Sequence, residues 1–391
     1  MRSQTWQLIK QDRWLQSSVI WMPIGLSVIL WWIFSQGIVR DLPIGVVDLS
    51  HSTQSRQVIR HIDATSTLKV LKVYPSQAMA KADLIESHIY AYTVIPRHFD
   101  RDIQRGQSPQ VTTFYNSQYI LTGRLISSAM TRVMQTLSAH IDAGQRLAKG
   151  NKTVSQVMGQ AVPVGTQLTP LFNLNMNYAQ FLVSGIIPAL WQISIVTSTI
   201  LILSTYQQRF GLNTWLGTSP YRNMLVTLWP FCVWFAIQGI AFLWWFYVIL
   251  DWPQQGQLWV VIFAQWITLV ACMIMGILFY FITLDPARAL SFAAAYTAPS
   301  FAFMGITFPA SNMDTLAQFW RNLLPITHYM SVQINQVNYD LEPLRSLQPM
   351  LWMMIYIVPL LIAAGLIYKR VNLARSLTNN LGGQNNAPTT E

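Results

Sequence analysis

Charge is what this sequence has least of: Asp, Glu, Lys and Arg make up 10% of its 391 residues, where soluble domains carry about 25%. A chain so poor in charge, and 52% hydrophobic, does not read as two or three soluble domains; a membrane protein is the expectation. Acid is scarcer than base, with 15 Asp and Glu against 25 Lys and Arg. The basic residues bracket apolar runs or dot one polar stretch and form no block, which argues against nucleic acid as a partner. Both cysteines, Cys232 and Cys272, fall inside apolar runs, so they cannot staple an external domain and read as small core residues.

Catalytic signatures are missing as well. There is no Gly-x-x-x-x-Gly-Lys-Ser/Thr loop to cradle phosphates, no Gly-x-Ser-x-Gly elbow and no His-Glu-x-x-His, and the six histidines lack metal-ligand spacing. An enzyme is therefore not expected, nor a metal or cofactor held by this chain. The apolar runs also lack an interior carboxylate, since Asp251 and Asp285 stand at run ends. A proton relay would need one, so the energy for any transport has to come from elsewhere.

What is present is a series of apolar runs at 17–39, 181–206, 224–250, 258–284, 289–308 and 350–368. A helix needs about 20 apolar residues to cross a bilayer, and these runs predict six transmembrane helices. Residues 1–16 place Arg2, Lys10 and Arg13 among Trp6, Leu8, Ile9, Trp14 and Leu15, a basic amphipathic pattern suited to a membrane surface. The first run is longer than the roughly 7–15 residues of a cleaved signal core, so it is read as a retained helix. Between 40 and 178 the composition turns soluble. Strands are expected at 42–48, 68–74, 89–95 and 110–115, with helices at 52–64, 76–87 and 98–105, an α/β alternation. Leu121, Leu125, Ala129, Val133, Leu137 and Ile141 recur at helical spacing, which predicts a long stalk helix over 119–149. Asp48 reads as a strand-end cap for the next helix and Arg56 as a solvated side chain, rather than as a ligand pair. The domain boundaries are thus 1–39, 40–178, 179–370 and 371–391, the last a polar tail expected to be disordered.

Orientation follows from the basic residues. Arg2, Lys10, Arg13, Arg209, Arg222, Arg288, Lys369, Arg370 and Arg375 fall on one side of a six-helix model with both termini cytoplasmic, and only Arg321 and Arg345 fall in short loops on the other. The stretch 305–348 is unsuited to span lipid: it carries Pro309, Pro325 and Arg321, and Leu316, Phe319, Trp320, Leu323 and Leu324 share one helical face. It is expected to form an external plug over a cavity or a tight helix bundle, because irregular backbone at that depth needs protein or a water-filled space beneath it, with an ordinary interfacial loop as the alternative. His328 reads as a satisfied helix-end histidine rather than a proton sensor.

Gly305-x-x-Phe308-Pro309, Met313 and Leu324-Pro325-x-Thr327-His328-Tyr329 resemble the segment before the last membrane helix in ABC-2 type transporter permeases with a large external domain between the first two helices. Pro43-Ile44-Gly45-Val46-Val47-Asp48, Ser55-Arg56, Val94-Ile95-Pro96-x-x-Phe99 and Tyr115-Asn116-Ser117 resemble that external domain. The resemblance implies a six-helix permease subunit of an ATP-binding-cassette exporter with an inserted α/β extracytoplasmic domain, in a bacterial inner membrane. It implies a separate ATPase subunit holding ATP and Mg, a second permease copy or paralogue, membrane lipid and, as an open question, a periplasmic adaptor. Its substrate would be hydrophobic or amphipathic. Coupling to the ATPase falls on Gln207, Gln208, Arg209, Phe210 and Gly211, although Gln207 and Gln208 stand where the family has charges and Leu212 where Thr is usual. The plug residues carried over are Gly305, Phe308, Pro309, Pro325, His328 and Tyr329, and Gln192, Thr197 and Tyr296 are the candidates for a translocation path. Gln238 and Gln265, lone amides in apolar runs, read as interhelical glue. A membrane-anchored binding or scaffold protein, and a channel, remain the alternatives.

Overall fold

The computed structural model describes residues 12–35, 40–149 and 177–384. The chain divides into two units, 38–169 and the remainder, 1–37 with 170–391. Most of the expected surface helix over 1–16 lies outside the described residues.

In the smaller unit, short β-branched runs alternate with helical ones, and the structure follows that alternation. The elements are β1 Leu42–Asp48, α2 Thr53–Asp63, β2 Leu68–Tyr74, α3 Gln77–Ile85, β3 Ala91–Ile95, α4 Phe99–Gln104, β4 Thr112–Tyr115 and α5 Ile120–Lys149. β1 runs parallel to β2 on one side and β3 on the other, and β4 closes the sheet antiparallel to β3, in the order β2-β1-β3-β4. Side chains alternate along a strand, so Ile44 and Val46 of β1 join the core formed with Val58 and Ile62 of α2, Phe99 of α4 and Val133 of α5. Val47 joins the core on the other face, with Ala80 of α3 and Tyr92. Cover on both faces explains why β1 is buried almost throughout. Asp48 ends the strand as a cap: its Oδ1 accepts the Ser50 and His51 amides at 3.0 and 2.9 Å, and its Oδ2 accepts Ser55 Oγ at 2.7 Å. Ser52 and Ser55 complete a capping box at the start of α2. Arg56 is exposed and, among the described residues, reaches the His51 carbonyl and Thr53 hydroxyl, both at 3.4 Å. Tyr74 donates to Asp83 Oδ2 at 2.6 Å, and burial, with the Asp83 carboxylate beside it, pushes its phenol up to about 12.

In the larger unit, five helices among the described residues are long and apolar enough to cross a membrane. They are α1 Arg13–Phe34, α6 Tyr178–Phe210, α8 Pro220–Ile249, α9 Leu258–Thr283 and the final stretch Pro343–Ser376. α6 and α9 are the most enclosed of these, and in α9 Ala264, Leu269, Cys272 and Phe281 are all fully buried. α9 packs on α6 closely enough that a Cβ added at Gly276 would lie 2.8 Å from Thr199 Cβ and 3.0 Å from the Val196 carbonyl.

Two prolines inside these helices leave carbonyls that a neighbouring helix serves. Pro23 has no N–H to give the Val19 carbonyl one turn back, and α1 passes through a π-helical turn at Ser17–Trp21. Trp234 Nε1 and Gln238 Nε2 of α8 donate to that carbonyl at 3.1 and 2.8 Å. Pro188 of α6 leaves the Ser184 carbonyl in the same position, and Gln333 Nε2 donates to it at 3.1 Å. At the start of α1, Asp12 accepts the Trp14 and Leu15 amides and the Thr205 hydroxyl of α6.

Three sequence expectations change. The run 289–308 does not form a sixth continuous span: α10 Pro286–Thr297 is 12 residues, α11 Ser300–Phe303 follows after Pro299, and Gly305 turns the chain at φ +86°. At 1.5 Å per residue α10 covers about 18 Å, well short of about 30 Å of hydrocarbon. Second, Gln207 to Phe210 are not a loop but the last turn of α6, and α7 Leu212–Leu216 follows directly. Third, the tail expected to be disordered from 371 is helical as far as it is described, since α14 runs Ile357–Gln384. Arg370 donates to the Ile282 carbonyl at 3.2 Å and Arg375 to that of Gly217, which ties the helix beyond its apolar part. Residues 385–391 lie outside the described residues.

Candidate functional site

The stretch after α11 builds a corner. Pro309 leads into a 3-10 turn, Ala310–Asn312; α12 Thr315–Asn322 follows, capped by Asp314 Oδ1 on the Ala317 amide at 2.9 Å; then Leu324, extended, leads into α13 Pro325–Val337. Proline at the first helical position of α13 has no donor to lose, and it keeps the preceding Leu324 out of helical geometry. α12 cannot therefore run on into α13.

A corner inside an apolar bundle exposes carbonyls, and each here has a partner. Arg321 O accepts Thr327 Oγ1 at 2.7 Å, Asn322 O faces His328 Nε2 at 3.0 Å, and Leu324 O accepts Thr327 Oγ1 at 2.7 Å. Leu323 O takes two tyrosines: Tyr296 of α10 at 2.5 Å and Tyr356 at 2.6 Å, their hydroxyls 2.9 Å apart. The first turn of α13 has no capping side chain of its own. Gln192 of α6 supplies one: its Oε1 accepts the Ile326 amide at 3.0 Å while its Nε2 donates to Ser300 Oγ of α11 at 2.9 Å. Tyr329 is fully buried and receives Gln265 Nε2 at 3.2 Å. The same Nε2 lies 3.1 Å from the Gly239 carbonyl, so Gln238 and Gln265 both act between helices as the sequence suggested.

Within the plug it is α13 that is buried, with Pro325 to Met330 all buried, while Leu316 and Phe319 of α12 are 74% and 61% exposed. A cavity does accompany the segment, ≈220 Å³, with Gly305, Ile306, Met330, Gln333, Ser184 and Tyr247 among its walls. Phe308 and Pro309 are exposed and do not join it. Ile306 packs at Gly185 of α6, where an added Cβ would meet its Cδ1.

Of the three path candidates, Gln192 and Tyr296 converge on this corner as fasteners with every contact accounted for above. Thr197 stays apart, its hydroxyl bonded back to the Ile193 carbonyl at 2.8 Å. Ser300, Tyr356 and Gln333 were not singled out from sequence. A proline in the neighbouring helix was the available signal for Gln333, and nothing in the spacing pointed to Tyr356.

The coupling candidates form a second cluster. Gln207 Oε1 accepts the Tyr280 hydroxyl of α9 at 2.9 Å, and Gln208, Arg209 and Phe210 are exposed. Gly211 (φ 70°, ψ 154°) and Gly217 (φ 53°, ψ −143°) bracket α7 in backbone regions that essentially only glycine occupies. Between them Trp215 and Leu216 are buried, Trp215 Nε1 donating to Thr227 Oγ1 at 2.9 Å, and Asn223 Nδ2 donating to the Trp215 and Leu216 carbonyls. α7 is a short helix held rigidly by its inner face, between two turns that fix its direction.

Compared with known families, the chain matches the model described as ABC-2 family transporter protein over residues 13–366. No curated protein matches it.

Proposed function

The chain belongs to the ABC-2 family of transporter proteins, a permease of an ABC transporter, and we propose that it is the transmembrane subunit of an exporter powered by a separate ATPase. The match over 13–366, which includes the α/β unit, carries this reading. The sequence has no phosphate-binding loop, so the energy enters through a partner. Contact with that partner is made by the exposed end of α6, Gln208 to Phe210, and by α7, whose buried Trp215 and Leu216 transmit displacement to α8. Both termini are cytoplasmic in a bacterial inner membrane, and the α/β unit is extracytoplasmic. The broken α10–α11 segment, followed by the corner and α13, carries the chain back across between α9 and the last span, which restores the even number of crossings this arrangement requires. A second permease copy or paralogue completes the path, and α13, fastened by Gln192, Tyr296 and Tyr356, is the part of each protomer that gates it. The substrate is hydrophobic or amphipathic.

The test is isolation of the tagged chain from its own membranes. The reading expects a P-loop ATPase subunit in the complex at fixed stoichiometry, retained at high salt and lost when α7 is replaced by a Gly-Ser linker. A chain that purifies free of any such subunit would favour a binding or scaffold protein of the envelope.

A further inference from the structure

A second place in the molecule has chemistry that transport by the helical unit does not use. In the α/β unit a cleft of ≈960 Å³ lies between α2, α4 and α5, within the range of small-molecule sites, about 300–1,000 Å³. Its floor is apolar: Ile103 and Leu137 are buried and Ile141 is half-buried. Its rim is basic. Arg60 and His61 come from α2, Arg105 from the turn after α4 and His140 from α5. The two imidazoles stack across the cleft, ring centroids 6.0 Å apart and planes 28° from parallel.

Among the described residues no carboxylate lines this cleft. The acidic residues on the same elements do not line it: Asp63 accepts the Val70 amide, Asp100 accepts Gln104 Nε2, Asp102 pairs with Arg101, and Asp142 of α5 is engaged as well. Arg60 and Arg105 form no ion pair among the described residues. The chain that follows α5, residues 150–176, contains no Asp or Glu that could supply the missing charge. Two guanidiniums and two imidazoles over an aliphatic floor call for an anionic head on an apolar body, since guanidinium pairs with carboxylate or phosphate in a planar, two-point geometry.

We propose that this cleft binds a small amphipathic anion, a phosphate- or carboxylate-headed molecule with an aliphatic or aromatic body. The head lies between Arg60 and Arg105 beside the stacked His61 and His140, and the body on Ile103, Leu137 and Ile141. The site does not depend on export: it makes the α/β unit a receptor in its own right.

The experiment uses the full chain purified in a neutral maltoside detergent and octyl phosphate as the probe. Acylation of histidines by diethyl pyrocarbonate, mapped by mass spectrometry, reads the site directly, with exposed His88 as internal reference. Octyl phosphate is expected to protect His61 and His140 but not His88, and octyl glucoside, with the same tail and a neutral head, is expected to protect neither. Arg60→Gln with Arg105→Gln removes two charged hydrogen-bond donors from exposed positions and should raise the half-protecting concentration at least about tenfold, with the circular dichroism spectrum unchanged. Equal protection by octyl glucoside, no protection by octyl phosphate at millimolar concentration, or protection unaltered in the double variant would each overturn the proposal. Protection by polyglutamate with octyl phosphate inert would also overturn it, and assign the cleft to an acidic protein. None of these readouts involves ATP or transport, so they stand or fall separately from the exporter reading.

Discussion

Gln192 is fully buried in α6 and serves two helices at once, accepting from the first turn of α13 and donating to Ser300 of α11. Replacing it by Leu leaves the Ile326 amide without a partner in an apolar setting, at a cost of about 1–3 kcal/mol. Gln192→Leu is therefore expected to lower the thermal unfolding temperature of the detergent-purified protein, and an unchanged midpoint would show that the cap contributes nothing. His328→Gln keeps an N–H for the Asn322 carbonyl and should unfold at nearly the wild-type temperature; a fall as large as that of Gln192→Leu would contradict this account of the histidine.

Helices in this chain are joined through proline. Pro188 leaves the Ser184 carbonyl of α6 without its helical donor, and Gln333 of α13 fills the place. Gln333→Leu should thus destabilise the wild type by about 1 kcal/mol or more and measurably less in a Pro188→Ala background, where α6 supplies its own N–H. Additive effects would show that the proline and the glutamine are unrelated. The sequence disclosed elements well where one periodicity held throughout: β1 and β2 begin and end where the alternation of Val, Ile and Leu does, and α5 follows its stripe of Leu121 to Ile141. It disclosed α10 poorly, because Ala293, Ala294, Ala295 and Ala298 score as apolar in any window while Pro299 and Gly305 stop the helix. The candidate site was legible as a motif and not as a geometry. Leu-Pro-x-Thr-His-Tyr falls at the corner, yet which face would be buried depended on Gln192, Tyr296 and Tyr356, far away in sequence. Of the apolar stripe that begins on α12, the stronger periodic signal, Leu316 and Phe319 are exposed, Trp320 and Leu323 half-buried and only Leu324 buried.

At the scale of the whole molecule, the proposed arrangement places the α/β unit and the α7 turn on opposite sides of the membrane. A cysteine at Ser108 should react with an impermeant maleimide in intact cells, and one at Ser219 only after permeabilisation; both positions are exposed. The reverse pattern would end the model. The central claim is that this chain transports without an engine of its own and is driven through α7. ATP turnover in proteoliposomes tests it most directly, measured for the chain alone, with its copurifying ATPase, and with that ATPase and Gly211→Val. A β-branched residue at φ 70°, ψ 154° is strained by about 1–3 kcal/mol and should re-aim α7. The expected result is no hydrolysis by the chain alone, vanadate-sensitive hydrolysis by the complex, and hydrolysis in the Gly211→Val complex that no longer responds to the permease. Turnover by the chain alone after removal of contaminating ATPases, or a Gly211→Val complex indistinguishable from wild type, would contradict the account.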